Sequence, residues 1–396
     1  CHDQTNLHDN KNASPLPVKK QKNSRKFVCN LLGSPGFAFG CWQSSNSRSS
    51  NPYRLESEPS VPRCAEVYAV RFIAPTDDSE KRVRMRVVFL LTVPIVEMCF
   101  DPQDLHRLGD HATSFSNATT ADRLSEFWSR HAADAEFLVT GWKTPPLTDE
   151  MLDMAPKLRA ILHAAGSTRH LLPPSVWSRG LRIGSAREAL AVGVAETTLG
   201  LIIAGLKGFF PASRMAREGG WLIDSNRVQG YEIREMYKST IGLIGLSKTA
   251  RHLLRLLKHF EVKVLATDPH VDADEVAELG ATKVELDELM SASDVVSLHA
   301  PALPETHHML RGPHFKLMRD GAIFVNTARG MIVDEDALSL ELQSGRIWAL
   351  LDVTDPEPPA PNHPFRTLPN VVLLPHIAGA VGSGCRRLGR SVVDQI

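Results

Sequence analysis

The sequence has no excess of charge, no long apolar run and no closely spaced cysteines, and each absence argues against a class of protein. Lys plus Arg and Asp plus Glu number 45 each, so net charge gives no reason to expect a nucleic acid or a membrane as partner. No run reaches about 18 apolar residues, the length typical of a spanning helix. The six cysteines form no CxxC pair. A disulfide framework is therefore not expected, and a reducing, cytoplasmic location is favoured.

Residues 1–84 differ in composition from the rest of the 396-residue chain. They are rich in Ser, Asn, Pro and Lys and lack amphipathic periodicity, so they cannot bury enough apolar surface to offset the entropy of ordering. We expect a disordered or non-native extension, with Met85 as a natural start of the folded part. Residues 377–396 begin like a helix and stop without a cap, so we expect a truncated end.

The folded part alternates predicted strands and helices, which is typical of an α/β protein. The apolar run Val87–Val96 indicates a buried strand, predicted at Arg86–Thr92, rather than a signal sequence. Residues Glu188–Phe210 indicate a long helix. A second strand–helix series runs from Ser239 to Pro375. The other elements predicted before it are strands Glu136–Thr140, Leu158–Ala164 and Leu181–Gly184, and helices Asp101–Leu108, Ala121–Ala132 and Thr148–Ala155.

Three predicted strands in the last third of the chain are each followed by an ionisable residue. The strands are Ala322–Asn326, Trp348–Val353 and Val371–Leu374, and the residues that follow them are Arg329, Glu357 and His376. Near-continuous apolar runs of this length indicate buried parallel strands, and ligands of such sheets bind at the carboxyl ends of the strands. We therefore expect the three side chains to meet in one crevice, where they could move a hydride and a proton.

A degenerate dinucleotide fingerprint follows the predicted strand Thr240–Ile244. Gly245 supplies the tight turn and Ala250 the close contact of helix and strand, but Ser247 stands where the pattern has its second glycine. Asp268, at the end of the next strand, has the spacing of an acid that binds the ribose hydroxyls and favours NAD over NADP. The predicted cofactor-binding residues here are Gly245, Ser247, Lys248, Thr249 and Asp268.

From about Glu136 to Ile377 the chain resembles the D-isomer-specific 2-hydroxyacid dehydrogenases. The matching motifs are His299-Ala300-Pro301, Val325-Asn326-Thr327-Ala328-Arg329-Gly330, Val333-Asp334-Glu335-Asp336-Ala337-Leu338, Leu351-Asp352-Val353 with Glu357-Pro358, and Pro375-His376-Ile377-Ala378-Gly379. The resemblance implies two doubly wound α/β domains, with a Rossmann NAD-binding domain at 188–376 inserted in a flavodoxin-like substrate domain. Residues 85–187 would form the first part of that substrate domain, and 377–396 would return to it.

The resemblance also implies a role for each residue of the motifs. Arg329 would anchor the substrate, Glu357 would be the acidic partner of His376, and His376 would be the general acid and base. Asp352 would hold the nicotinamide carboxamide, and His299, Ala300, Pro301 and Thr327 would line the cofactor pocket. The substrate carboxylate would bind at Ala165, Gly166 and Ser167, near Trp142 and Lys143 on the specificity loop.

The function predicted from the sequence is interconversion of a 2-oxo acid and a D-2-hydroxy acid with NAD, by a cytoplasmic homodimer. The alternative is an NAD(H)-sensing protein similar to the C-terminal-binding corepressors, with weak or no turnover, and the substitution at Ser247 supports it. Neither a nucleic acid nor a membrane is an expected partner. His299, His307, His308 and His363 lack metal-ligand spacing, so no metal site is predicted.

Overall fold

The first part of the fold is a parallel four-stranded sheet. The computed structural model describes residues 85–109, 123–221, 227–228 and 231–396, so the expectation for residues 1–84 lies outside the described residues. The strands are β1 (Val87–Phe89), β2 (Phe137–Thr140), β3 (Ala160–His163) and β4 (Arg182–Ser185), paired in that order. The helices are α1 (Val93–Cys99), α2 (Pro102–Gly109), α3 (Leu124–His131) and α4 (Asp149–Asp153).

The strand predicted at Arg86–Thr92 is shorter than expected, and the rest of the apolar run Val87–Val96 enters a helix. The strand ends at Phe89, and α1 begins at Val93 after Thr92 at the N-cap position. Pro94 lies in the first turn of this helix, where its missing N–H costs nothing and its fixed φ suits the helix. The apolar run therefore belongs to two buried elements.

The predicted helix Glu188–Phe210 is divided in two. Helix α5 spans Arg187–Leu206, and α6 spans Phe209–Arg217. Gly208 separates them with a φ of +61°, a left-handed conformation that side-chain-bearing residues rarely adopt. The apolar pattern continues through this break, and for that reason it predicted one helix.

The second part of the fold is a seven-stranded parallel sheet. Its strands are β7 (Thr240–Ile244), β8 (Lys263–Thr267), β9 (Thr282–Lys283), β10 (Val295–Leu298), β11 (Ile323–Asn326), β12 (Trp348–Leu351) and β13 (Val371–Leu373). They pair in the order β13-β12-β11-β10-β7-β8-β9, which reverses direction between β7 and β10. A ligand of such a sheet binds at this switch point. A small hairpin of β5 (Arg227–Val228) and β6 (Tyr231–Glu232) precedes β7.

Helices cover both faces of each sheet. The helices of the second part are α7 (Lys248–Leu257), α8 (Ala273–Glu278), α9 (Leu286–Ala292), α10 (Gly312–Leu317) and α11 (Glu335–Gln343). The last helix, α12 (Gly384–Val393), packs against the first sheet. Alternate residues of β11 enter two separate cores, Ile323 and Val325 on the side of α5 and α7, and Phe324 on the side of α10 and α11. Val87 and Val88 of β1 likewise pack into two separate cores, one on each face of the first sheet. The predicted class, two doubly wound α/β domains, is confirmed.

Helix α12 returns the end of the chain to the first sheet. Cys385, Val392 and Val393 are buried in the core that β1 and α1 form. A Cβ at Gly389 would lie 2.0 Å from the carbonyl oxygen of Cys99, so only glycine permits this approach of α12 to α1. The last residues therefore pack against the first elements of the described fold.

Helix α5 joins the two sheets and is long and apolar enough, by length and composition, to cross a membrane. Ala195, Leu201, Ile202 and Leu206 instead lie in the core beside α7 and β11. Only 39% of the most apolar stretch of the helix is buried, so part of an apolar helix face remains uncovered by the described residues.

His163, at the end of β3, is a buried histidine that the fold holds neutral. Its ring is 1% exposed, and its Nδ1 lies 3.0 Å from the hydroxyl of Thr140. Burial, together with the nearby His170, lowers the pKa of His163 to about 4. The unfolded chain therefore binds a proton at His163 between pH 6.5 and 4 that the folded chain does not bind.

Acid should destabilise the protein through His163. On lowering the pH from 7 to 5, we expect His163 to reduce the free energy of unfolding by about 2 kcal/mol, since the unfolded state gains the proton. The change His163→Asn should remove this part of the pH dependence, measured by urea denaturation at both pH values. His259→Asn, at an exposed position, is the control. Equal pH dependence in all three proteins would contradict the assignment.

Candidate active site

The sheet order places the three predicted catalytic residues on neighbouring loops. Strands β11, β12 and β13 are adjacent and parallel, so their carboxyl ends lie side by side. Arg329 follows β11, Glu357 follows β12 and His376 follows β13, and all three side chains are exposed. The three residues thus lie at the carboxyl edge of the sheet, where the crevice is expected.

Glu357 and His376 form a direct pair. The Oε2 atom of Glu357 lies 2.8 Å from Nδ1 of His376, with the two side chains 39% and 46% exposed. A carboxylate can only accept a hydrogen bond, so the proton between them belongs to Nδ1. Nε2 is then the ring atom left to give or take a proton. The other carboxylate oxygen of Glu357 accepts the N–H of Thr354 at 3.3 Å, which fixes the carboxyl group.

The loops after β11 and β12 touch at Gly330. A Cβ at this position would lie 2.1 Å from the carbonyl carbon of Thr354 and 2.5 Å from the nitrogen of Asp355. Only a glycine after Arg329 therefore lets these loops meet, because the conflict is with backbone, which cannot give way. The contact brings the Arg329 loop against the loop that carries Glu357.

Buried Asp352 fixes the loop of His376 by hydrogen bonds. Its side chain is 1% exposed, and its two oxygens accept the N–H groups of Ile377 at 2.8 Å and Ala378 at 2.9 Å. The N–H of His376 donates to the backbone oxygen of Asp352 at 3.0 Å. His376 has a φ of +54°, an uncommon conformation for a residue with a side chain. The structure thus gives Asp352 a positioning role, while its remaining lone pairs stay available for the predicted carboxamide contact.

Asn326, which the sequence reasoning did not single out, shapes the loop of Arg329. It is 1% exposed at the end of β11, accepts the N–H of Ala328 at 3.0 Å and donates to the carbonyl of Arg329 at 3.1 Å. A buried amide at a strand end must find such partners, and that requirement was the available sequence signal. The guanidinium of Arg329 itself donates from Nη1 to the carbonyl of Ala328 at 2.6 Å.

The predicted tight turn lies at the switch point between β7 and β10. Gly245 has a φ of +87°, and a Cβ there would come within 2.7 Å of the backbone nitrogen of Ala300. Both the conformation and the close approach require glycine. The backbone of His299 and Ala300 therefore borders the turn, followed by Pro301, whose carbonyl accepts the Thr306 hydroxyl at 2.7 Å.

Ser247 is compatible with the turn in which it replaces a glycine. It occupies the N-cap position of α7 with φ −61°, an ordinary conformation, and its hydroxyl makes no capping hydrogen bond. The first N–H groups of this ten-residue helix, including that of half-buried Thr249, are thus not used by the cap. A helix N-terminus in this state, beside a glycine turn, fits a pyrophosphate group.

The side chain of Lys248, a predicted cofactor-binding residue, forms an ion pair with helix α5. Its Nζ lies 2.9 Å from Oε2 of Glu188 at the start of α5, and Nε2 of His252 contacts the other oxygen of Glu188 at 2.9 Å. The ammonium of Lys248 accordingly lowers the pKa of Glu188. In this arrangement Lys248 joins α7 to α5.

Asp268 stands at the end of β8, at the position expected for the ribose acid. Its two carboxylate oxygens accept the N–H groups of Leu246 at 2.7 Å and His270 at 2.9 Å. Each oxygen retains a lone pair for a hydroxyl group. With the Gly245 turn and the uncapped start of α7, the acid completes a set of groups that fits a dinucleotide with a free 2′-hydroxyl.

The side chains of His299 and Thr327 are buried and form hydrogen bonds within the protein. The ring of His299 is 4% exposed, bonds Ser297 at 2.9 Å, and has its pKa lowered to about 4 by burial. The backbone of His299, rather than its ring, borders the Gly245 turn, and a role in lining the cofactor pocket stays a prediction. Thr198 donates its hydroxyl hydrogen to Val194, so the 2.8 Å contact between hydroxyls requires Thr327 to donate to Thr198.

The predicted carboxylate-binding loop follows β3 in the first sheet. The N–H groups of Ala165, Gly166 and Ser167 donate to no atom within the described ranges, and are free to bind an anion. The side chain of Leu190 on α5 would lie 2.8 Å from a Cβ at Gly166 and 3.2 Å from one at Gly379. Leu190 therefore packs against both this loop and the loop of His376.

The predicted specificity loop follows β2, the neighbour of β3. Trp142 is half-buried against the core that β1 and α1 form, and Lys143 is exposed with a φ of +64°. The hydroxyl of Thr144 accepts the N–H of Gly141 at 3.0 Å and donates to Leu90 at 2.9 Å, which fixes the turn. The loop is therefore at the carboxyl edge of its sheet, beside the Gly166 loop.

No group of three or more metal-binding side chains occurs among the residues that the structure describes. The site is built from an arginine, an acid–imidazole pair, free backbone N–H groups and a dinucleotide-type turn. Such groups fit a nucleotide-binding oxidoreductase.

The comparisons with known proteins identify the family. Residues 199–378 match the family model described as D-isomer specific 2-hydroxyacid dehydrogenase, NAD binding domain. The glyoxylate reductase of Korarchaeum cryptofilum is 33% identical over 256 residues, which cover 64% of this chain and 76% of that protein. The chain belongs to the D-isomer-specific 2-hydroxyacid dehydrogenase family, and its seven-stranded sheet forms the NAD-binding domain.

Other relatives show how far the likeness extends. The D-3-phosphoglycerate dehydrogenase of Methanocaldococcus jannaschii is 32% identical over 265 residues, which cover 66% of this chain and 49% of that protein. The chain therefore spans about half the length of that relative. The structure of an Aquifex aeolicus D-lactate dehydrogenase complexed with NAD and lactic acid has a TM-score of 0.58 at 26% identity, covering 78% of this chain and 93% of the other.

Proposed function

We propose that the protein interconverts a 2-oxo acid and a D-2-hydroxy acid with NAD, and that His376 is the general acid and base. The observation that carries the proposal is the 2.8 Å contact of Glu357 with Nδ1 of His376 at the carboxyl edge of the NAD-binding sheet. Arg329 stands on the adjoining loop. Membership of the family and relatives named for glyoxylate, hydroxypyruvate and D-3-phosphoglycerate support this reaction class.

The chain's own groups can perform the proton transfer of such a reaction. When bound, the nicotinamide supplies or accepts the hydride. Glu357 holds Nδ1 of His376, so Nε2 is directed to the substrate and donates a proton to the carbonyl oxygen during reduction. In the oxidation direction the same Nε2 accepts the hydroxyl proton. Glu357 also stabilises the positive charge of the ring in the protonated state.

Two groups can bind the acidic end of the substrate. The guanidinium of Arg329 can contact a carboxylate and the adjacent carbonyl oxygen in a planar fork, for which it must leave its exposed contact with Ala328. The unpaired N–H groups of Gly166 and Ser167 would bind a carboxylate from the opposite side of the crevice. Leu190 lies between these loops and would exclude water from the space they share.

A substrate panel tests the activity as a whole. Purified protein is mixed with NADH and glyoxylate, hydroxypyruvate or phenylpyruvate, and absorbance of NADH is followed. We expect NADH to be consumed with at least one 2-oxo acid. A protein that binds NADH, seen by its fluorescence, and yet consumes none with any acid would instead be an NAD(H)-sensing protein.

Replacing His376 by Ala should remove most turnover. We expect kcat to fall by about a hundredfold to ten-thousandfold, since general acid catalysis contributes that much, while the Kd for NADH stays unchanged. Steady-state kinetics and fluorescence titration measure the two quantities. His259→Ala is the matched control at an exposed position after α7. Wild-type turnover in the His376 variant would remove this residue from the mechanism.

Replacing Asp268 by Ala should weaken the preference for NAD. A carboxylate at this position repels the 2′-phosphate of NADP, so its loss should lower the ratio of kcat/KM for NADH over NADPH by about tenfold, or about 1.4 kcal/mol. The control is Asp272→Asn, which removes an equal charge from the cap of α8. A ratio that stays constant in the Asp268 variant, or falls equally in both, would contradict the ribose assignment.

We also propose that two copies pair through the exposed part of α5. This helix is apolar but only 39% buried over its most apolar stretch, and a Cβ at Gly200 would meet nothing within 4 Å. Gly200→Arg should therefore leave the fold intact and block close packing of a second helix. Sedimentation equilibrium should show a dimer for the native protein and a monomer for this variant. A native monomer at micromolar concentration would exclude the pairing.

A further inference from the structure

Glu335 is a buried acid beneath the loop that carries Glu357. It is the first residue of α11, where Asp334 caps the helix by accepting the N–H of Ala337 at 3.0 Å. The side chain of Glu335 is 11% exposed, and its Oε1 accepts the N–H of Asp355 at 2.9 Å. Asp355 precedes Glu357 by two residues. The acid therefore fixes α11 to the loop on which the partner of His376 stands.

The other oxygen of Glu335 faces His363. The distance from Oε2 to Nε2 is 3.7 Å, and this buried Oε2 makes no hydrogen bond among the described residues. Nδ1 of His363 accepts the N–H of Phe365 at 3.2 Å, so in the neutral ring the proton lies on Nε2, toward Glu335. The imidazole thus limits the positions that the carboxyl group can adopt.

Burial disfavours the charged form of both groups. Burial, strengthened by the charges of Asp355, Asp336 and Glu357, raises the pKa of Glu335 to about 7, and burial lowers the pKa of His363. In either protonation state the oxygen that faces Asp355 can accept its N–H. The hydrogen bond to the loop consequently does not depend on the charge of Glu335.

Other contacts shape the loop after β12 but do not replace this one. The hydroxyl of Thr354 donates to the carbonyl of Pro356 at 2.9 Å, and the N–H of Thr354 donates to Glu357 at 3.3 Å. Both bonds are internal to the loop. The contact of Gly330 with Thr354 limits the loop from one side. The bond from Asp355 to Glu335 anchors the loop to a helix of the domain.

We propose that Glu335 is a positioning residue, which holds the loop at Asp355 so that Glu357 stays in contact with His376. The inference rests on the proposed function for its catalytic consequence, but its structural consequence can be measured without any substrate. Glu335 has no direct contact with the reacting atoms. It acts through the backbone of Asp355.

Two variants of Glu335 and one control on the same helix separate this role from general stabilisation. Glu335→Ala removes the acceptor, and Glu335→Gln keeps an oxygen acceptor and resembles the protonated acid. Glu341→Ala is the control, because Glu341 also lies on α11, is also 11% exposed, and bonds Arg346 at 2.8 Å away from the site. Urea denaturation of all four proteins gives their stabilities.

The turnover measurement has a definite expected pattern. With a substrate from the panel, Glu335→Ala should lower kcat by about tenfold, since a small displacement of a catalytic group has effects of this order or larger. Glu335→Gln should keep kcat within about threefold of wild type, and Glu341→Ala should leave kcat unchanged.

A second measurement uses the protein without cofactor. Histidine ring nitrogen-15 shifts report whether Nδ1 of His376 is hydrogen-bonded, and the His376→Asn spectrum assigns the signal. We expect the shift of a bonded Nδ1 in wild type, Glu335→Gln and Glu341→Ala, and its loss in Glu335→Ala. If Glu335→Ala does not fold, Glu335→Asp, whose shorter chain cannot reach Asp355 in the same way, should show the same loss.

The results that would overturn the inference differ from those that would overturn the proposed function. An unchanged His376 signal in the folded Ala or Asp variant would overturn the positioning role. The positioning role would also be overturned if kcat fell equally in the Glu335→Ala and Glu341→Ala variants. It would likewise be overturned if kcat fell equally in the Glu335→Gln and Glu335→Ala variants. A wild type that shows the bonded signal but no turnover with any acid would instead remove the proposed function and leave the positioning role intact.

Discussion

The active site depends on one buried carboxylate. Asp352 accepts the N–H groups of both residues that follow His376, and its backbone oxygen accepts the N–H of His376 itself. These bonds hold His376 at a positive φ, a conformation that would otherwise be unfavourable. An acid at the end of a central parallel strand thus fixes the loop of the neighbouring strand. The contact between His376 and Glu357 follows from this arrangement.

Glycines and one leucine form the contacts between the loops around the proposed site. Gly330 permits the loop of Arg329 to lie against Thr354, and Leu190 lies beside both Gly166 and Gly379. Helix α5 supplies this leucine and also receives the hydroxyl of Thr327 through Thr198. Backbone meets backbone at Gly330, so this position leaves little freedom for substitution, whereas Gly166 and Gly379 pack against the side chain of Leu190.

Much of this architecture could be predicted from the sequence, because the apolar strands after residue 239 are short, nearly continuous and separated by clear turns. Their order along the chain also predicted where Arg329, Glu357 and His376 would lie. The break at Gly208 could not be read from a pattern that stays apolar on both sides. The roles of Asn326 and Glu335 were missed because they depend on which backbone groups a buried polar atom can reach. The burial of the His299 ring could not be predicted either, since a motif does not show which way a ring turns.

The bond between Lys248 and Glu188 has a consequence for cofactor binding. Lys248 begins the helix whose N-terminus faces the predicted pyrophosphate position, yet its ammonium is bound to an acid of the chain. A dinucleotide that drew this lysine to its phosphates would exchange one anion for another. Among the described residues, Glu188 would then keep His252 as its ion-pair partner. The affinity then includes the cost of that exchange. Added salt would weaken the ion pair of Lys248 both in the free protein and in the complex. The dissociation constant for the dinucleotide should therefore depend less on ionic strength than it would if Lys248 were unpaired in the free protein.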